Sequence, residues 1–168
     1  LFRPAFALAF YGAFRVSELV ARAKTDIRGG LQLADVGWQD GALAVRLPRS
    51  KTDQLARGAQ ILLYRWEGST CCPVANSEEY LVSRPVRGAS ALFVHGDATP
   101  LSRFQFTRVL TKAVAAAGLT PGSFTSHSFR IGEATTAGAM VLGEKAVQRI
   151  GRWSSDCFRL YVRLEMLC

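Results

Sequence analysis

The sequence contains no apolar run of membrane-spanning length. Its longest, over Ala5–Phe14, is interrupted by Gly12 and closed by Arg15, well short of the about 18 residues a transmembrane helix needs. A membrane-spanning helix is thereby excluded. Cysteine is sparse, with four residues, of which Cys71 and Cys72 are adjacent and no two stand in a C-x-x-C pair. That pattern speaks against a disulfide framework and a zinc knuckle, and for a reducing compartment. A zinc site assembled from Cys71, Cys72, His95 and His127 is formally possible but has irregular spacing. Acidic residues are also scarce, 13 against 21 Lys and Arg. Repeats, low-complexity tracts and linkers are missing, as is a basic-then-apolar leader. The chain opens on Leu1 within helical sequence and reads as cut from something longer.

What is present is one ordinary domain. The 168 residues are 49% hydrophobic and 20% charged, a composition that buries a core rather than staying disordered. The formal charge is +8, and residues 103–168 hold nine basic against four acidic side chains, so +5 lies in that C-terminal part. A polyanion is the natural partner for such a surface, and double-stranded DNA is the expected one.

From Pro4 to Arg22 good helix formers carry apolar residues at helical spacing, at Phe6, Phe10, Ala13, Val16 and Val20; this predicts one helix. Leu31–Trp38 and Ala42–Leu47 flank Asp40-Gly41, a hairpin signal. Ala59–Leu63 follows as a third strand. Pro73 opens a helix to about Ser83, Ala91–Val94 is a brief apolar stretch, and Ser102 caps a long helix to about Ala117 that Gly118 closes. Ser126–Met140, Glu144–Ile150 and Ser155–Leu164 read as three more helices. The expected fold class is therefore α+β, mostly helical, with a small three-stranded antiparallel sheet.

Several side chains carry potential chemistry. Arg15 lies in Gly-Ala-Phe-Arg-Val-Ser-Glu-Leu, with Glu18 one turn on and Arg22 four beyond it, which taken alone reads as a surface ion pair. Lys51 lies in Arg-Ser-Lys-Thr-Asp between two predicted strands, where turn residues are charged anyway. His127 and Arg130 stand three apart in His-Ser-Phe-Arg at a helix start, so an imidazole and a guanidinium share a face that suits an oxyanion. Trp153 follows Gly151-Arg152 and alone reads as a packing indole. Tyr161, with Phe158 and Leu164 a turn either side, alone reads as a core tyrosine.

The order of these residues changes their weight. Arg-x-x-Glu-Leu on an early helix, a lysine in a β-turn, His-x-x-Arg in the C-terminal third, Gly-x-Trp and then a tyrosine together resemble the catalytic domain of the tyrosine recombinases, the phage-integrase family. The resemblance runs from Leu1 to about Arg163. It looks closest to recombinases of eukaryotic mobile elements, of the retrotransposon and Crypton kinds, on Cys-Pro-Val after the sheet and on Ser-His-Ser-Phe-Arg-Ile-Gly with Gly-Arg-Trp-Ser-Ser-Asp.

This resemblance implies the DNA breaking-rejoining enzyme fold over residues 1–168 and a site-specific recombinase or integrase. Tyr161 would attack a scissile phosphate and hold the 3′ end as a phosphotyrosine. Arg15 and Arg130 would clamp the non-bridging oxygens, His127 would assist as proton acceptor or hydrogen-bond donor, and Lys51 would protonate the leaving 5′ oxygen. Trp153 would stand where many relatives keep a second histidine, and Glu18 would support the Arg15 region. No metal and no cofactor are implied, because two permanently charged guanidinium forks match a phosphate. The full-length parent would act as a homo-oligomer, a tetramer on DNA, inside the cell and in the nucleus if eukaryotic.

Three departures qualify the match. The family's separate N-terminal DNA-clamping domain is not represented in this stretch. Tyr161 follows Trp153 by eight residues, one fewer than in many bacterial and phage relatives. Seven residues follow Tyr161, too few for the C-terminal helix that many relatives pass to a neighbour. Two further readings stand beside the recombinase: a DNA-binding relic that no longer cuts, and a type IB topoisomerase-like enzyme, which would tend to keep a histidine at Trp153.

Overall fold

The computed structural model of the chain describes residues 1–48, 58–140, 143–153 and 155–163. Helix α1 (Phe2–Tyr11) lies against α3 (Pro73–Ser83) and α5 (Ser128–Ala139). Strands β1 (Val36–Gln39), β2 (Ala42–Leu47) and β3 (Ala59–Leu63) form one antiparallel sheet in that order. Helices α4 (Arg103–Ala116) and α6 (Glu144–Ile150) complete the regular elements, with a four-residue helix α2 (Val16–Leu19) after α1.

The hairpin forms where the sequence indicates it. Asp40 and Gly41 have φ of 49° and 77°, the pair of positive values that a two-residue hairpin turn demands. Gln39 faces Ala42 across the turn, and on the far side of β2 Leu43 faces Leu63. The alternation of β2 buries Leu43, Val45 and Leu47 and turns Arg46 outward, the period-2 signature of a half-buried strand. The expected first strand is shorter than Leu31–Trp38: Leu33–Asp35 make a 3-10 turn, because the buried Asp35 carboxylate accepts the Gln32 N–H at 3.0 Å and tightens the chain there.

The single helix expected over Pro4–Arg22 breaks after Tyr11. Phe14 is fully buried, and reaching that place folds the chain back so far that a Cβ at Gly12 would overlap the Phe14 ring. Ala13 takes φ 45° and Arg15 an extended conformation at the N-cap of α2. Burial of one phenylalanine thus overrides a run of good helix formers. The C-terminal helix expected over Ser155–Leu164 is, among the described residues, a 3-10 turn over Asp156–Leu160.

Two apolar clusters hold the domain. The larger joins α1, the sheet, α3 and Phe106 of α4, with the Phe6 ring edge-on to Phe106 at 4.8 Å and stacked on Phe129 at 5.5 Å. The smaller comprises Ala134, Ala137, Val147, Trp153 and Phe158, with Tyr161 packed on it. Buried Arg84 staples the Ala91–Val94 stretch: its guanidinium donates to the carbonyls of Ala91 at 2.6 Å, Ala89 at 2.7 Å and Leu92 at 3.2 Å. No helix among the described residues is long and apolar enough to cross a membrane.

Candidate active site

Arg130 is the centre of the site. It projects from the first turn of α5 and is 1% exposed, an unusual place for a guanidinium. Its Nη1 donates to the Ala13 carbonyl and its Nη2 to the Gly151 carbonyl at 2.9 Å. Its Cζ lies 4.8 Å from the centre of the Trp153 ring and 5.8 Å from that of Tyr161. Burial, with Arg15 and Arg152 close by, pulls its pKa down to about 10, still leaving a cation at neutral pH. The buried Nε has no hydrogen-bond partner among the described residues.

Around this cation the rings converge. Tyr161 is partly buried, 4.9 Å from Trp153 and 5.0 Å from His127 between ring centres. Its backbone is held by Thr135 on α5, whose hydroxyl donates to the Tyr161 carbonyl at 3.2 Å and accepts the Arg163 N–H at 3.1 Å. His127 is the residue before α5. Its imidazole pKa is lowered by burial and then by Arg130, Arg15 and Arg163. It is therefore neutral at physiological pH, with a lone pair free to accept a proton.

Arg15 enters from the break after α1. Its Nη1 pairs with Glu18 Oε1 at 3.0 Å, and its own N–H donates to Glu18 Oε2 at 2.8 Å. The surface pair expected between Glu18 and Arg22 does not form. Glu18 is 6% exposed and turns instead to Arg15 and to Arg152, whose Nη2 lies 2.9 Å from Oε2; the helix break has moved Arg22 out of register, and its N–H caps Asp26. Lys51 lies outside the described residues. The site thus brings together Arg15, Glu18, His127, Arg130, Trp153 and Tyr161. Among the described residues no three of His, Cys, Asp and Glu stand close enough to hold a metal.

Sequence reasoning passed over three residues here. Arg152 sits between Gly151 and Trp153 in a motif that was legible, yet its reach to Glu18 was not. Glu133 follows Arg130 by one helical turn, 8% exposed, with Oε2 unpartnered among the described residues and a pKa raised by burial to about 7 against the pull of Arg130 and Arg152. A glutamate among the small residues of α5 was the available signal. Thr135 gave none.

A phenol beside an imidazole and a buried guanidinium is a set of groups chemically suited to an anionic, tetrahedral centre.

No protein-family model matches the chain. It is 28% identical over 158 residues, 89% of its length, to an integrase/recombinase XerD homolog of Selenomonas ruminantium, of which it spans 42%. Among solved structures it resembles the XerA recombinase with a TM-score of 0.69 at 19% identity, covering 98% of this chain and 57% of that one. It matches the XerH site-specific recombinase bound to its difH substrate before cleavage at 0.66 and 17%, over 98% and 44%. A lambda integrase dimer bound to a COC′ core site follows at 0.63 and 21%, over 96% and 52%. The chain spans about half the length of these proteins, and over that span its fold is that of the tyrosine recombinase catalytic domain.

Proposed function

We propose that residues 1–168 are the catalytic domain of a site-specific tyrosine recombinase or integrase that cleaves and rejoins duplex DNA through a 3′-phosphotyrosine. The observation that carries this reading is the Arg130 guanidinium, buried against the Trp153 and Tyr161 rings, with the His127 ring 5.0 Å from that of Tyr161. The likeness to recombinases, one bound to a difH substrate and one to a COC′ core site, supports it.

The proposed chemistry follows from the cast. Arg15 and Arg130 hold the two non-bridging oxygens of the scissile phosphate. The Tyr161 hydroxyl passes its proton to His127 and bonds to phosphorus, while the bond to the 5′ oxygen breaks. Lys51 gives that oxygen a proton. Phosphoryl transfer leaves little covalent work to a protein, so positioning and charge stabilisation carry the rate. The tyrosyl ester conserves the energy of the phosphodiester, and a second 5′ hydroxyl reverses the step on a new partner strand. Trp153 packs the nucleophile against Arg130, and Glu18 holds Arg15.

The partner proposed is double-stranded DNA, and the full-length protein is proposed to work as a homotetramer on it. A kinship with recombinases of eukaryotic mobile elements is proposed on the Ser126–Gly132 and Gly151–Asp156 motifs. The deciding experiment mixes the protein with nicked suicide duplexes, drawn from the junctions of the parent element or from a random pool. A covalent protein–DNA band is expected, and Tyr161→Phe is expected to abolish it while DNA binding and fold persist. A band that survives in Tyr161→Phe moves the nucleophile elsewhere. Intact salt-sensitive binding without any band favours a relic that holds DNA without cutting it.

A further inference from the structure

Three consecutive residues between α6 and the Tyr161 segment each grip a different part of the site. The Gly151 carbonyl accepts from Arg130 at 2.9 Å, and the Trp153 ring packs at a tilt against Tyr161, 4.9 Å between centres. Between them, the Arg152 side chain reaches the other way. Its Nη1 donates to the Gly12 carbonyl at 2.8 Å, and its Nη2 to the Ala13 carbonyl at 3.2 Å and to Glu18 Oε2 at 2.9 Å. The Phe14 ring lies 5.1 Å below the guanidinium.

The cost of this arrangement is visible. Arg152 has φ 56°, and its contact Ala13 has φ 45°; they are two of the four non-glycine residues with positive φ among the described residues. That conformation is strained for an L-residue, because it brings Cβ close to the following carbonyl oxygen. The side chain is 11% exposed and its Nε has no hydrogen-bond partner among the described residues, and burial lowers its pKa. Strain and a buried charge persist where the surroundings over-determine them, which is characteristic of functional sites.

We infer that Arg152 is a positioning residue that sets Arg15, acting through Glu18 and the Gly12–Arg15 turn. Glu18 Oε2 accepts from both the Arg15 N–H and Arg152, while Oε1 holds the Arg15 guanidinium. Without Arg152 the carboxylate keeps only contacts to Arg15 itself, so the pair is free to swing together. The Ala13 carbonyl, shared by Arg130 and Arg152, ties the same turn to the second phosphate arginine. One guanidinium therefore fixes the spacing between the proposed phosphate clamp and the segment that carries Trp153 and Tyr161. What the clamp does rests on the recombinase reading; the geometry of the coupling does not.

The test uses Arg152→Asn, since asparagine tolerates positive φ, and Arg152→Lys, which keeps a cation beside Glu18. The first readout needs no DNA: the rate at which phenylglyoxal modifies Arg15, followed by peptide mass spectrometry. Arg15 is expected to react several-fold faster in Arg152→Asn, with partial return in Arg152→Lys, while Arg84, buried and fully bonded, keeps its wild-type rate and reports on global unfolding. An unchanged Arg15 rate, or a rise in Arg15 and Arg84 together, overturns the inference. The second readout is single-turnover formation of the covalent DNA adduct. Arg152→Asn is expected to lose about ten- to a hundredfold in rate, the scale of a slight misplacement of reacting groups, with DNA affinity little changed. Loss confined to affinity overturns it. A wild-type protein that forms no adduct removes the recombinase reading and leaves the Arg15 modification rate to decide the positioning role.

Discussion

Glu133 shows what burial does to a single side chain at this site. Its carboxyl is 8% exposed, and its pKa is raised from 4.5 to about 7. The folded chain therefore holds a proton that the unfolded chain has released between those values, so stability is lost as pH rises from about 4.5 through 7. His127 acts in the opposite sense: its lowered pKa means that stability is lost as pH falls below 6.5. Replacing the carboxyl by a neutral amide isolates the first effect. Glu133→Gln is expected to match the wild type near pH 4.5 and to exceed its stability by roughly 2 to 3 kcal/mol near pH 8, read by denaturant unfolding across that range. A constant difference between the two proteins at all pH values would mean that Glu133 stays ionised in the folded state. At this scale the residue types of the site were legible, since an ordered set of Arg, His, Arg, Trp and Tyr points to phosphate chemistry. Their neighbours were not. Nothing in the order of residues says that Glu18 turns from Arg22 to Arg152, because that pairing closes a loop of 134 residues in sequence.

At the scale of elements, local signals decided well wherever they acted alone. α4 begins where Ser102 stands, and the cap is reciprocal: the Ser102 hydroxyl accepts the Gln105 N–H at 3.3 Å, and the Gln105 side chain accepts the Ser102 N–H at 3.0 Å. Ser102→Ala is expected to cost about 1 kcal/mol, measured by denaturant unfolding. A loss within error would place the stability of α4 in its packing alone. Cys72 caps α3 in the same manner, its sulfur accepting the Ala75 N–H at 3.5 Å ahead of Pro73. The failures came where a distant contact outweighed propensity. α1 stops at Tyr11 so that Phe14 can be buried, and the carbonyls of Gly12 and Ala13, left without helical partners, are taken by Arg130 and Arg152. The break that sequence periodicity missed is also what delivers Arg15 to the site.

For the whole molecule, charge is the property that bears on function. The excess of five positive charges after residue 102 falls on the segment that carries His127, Arg130, Arg152 and Tyr161. If about five phosphates are neutralised, the logarithm of the DNA affinity is expected to fall with the logarithm of salt at a slope of about −4 to −5, measured by fluorescence anisotropy over a salt series. A flat dependence would remove DNA as the partner of this surface.

The amino-acid sequence by itself determined the α+β class, the hairpin at Asp40-Gly41 and the bounds of β2, β3, α3 and α6, because turns, caps and periodicity act over a few residues; the candidate site residues were named only through the order in which they resemble a family's signature. Tertiary structure alone decided where α1 ends, that Glu18 turns from Arg22 to Arg152, and that Arg152, Glu18 and Arg15 form one chain of contacts. The grip of Arg130 and Arg152 on Gly12, Ala13 and Glu18 joins side chains to partners more than a hundred residues away in sequence, and that is settled only when the core closes.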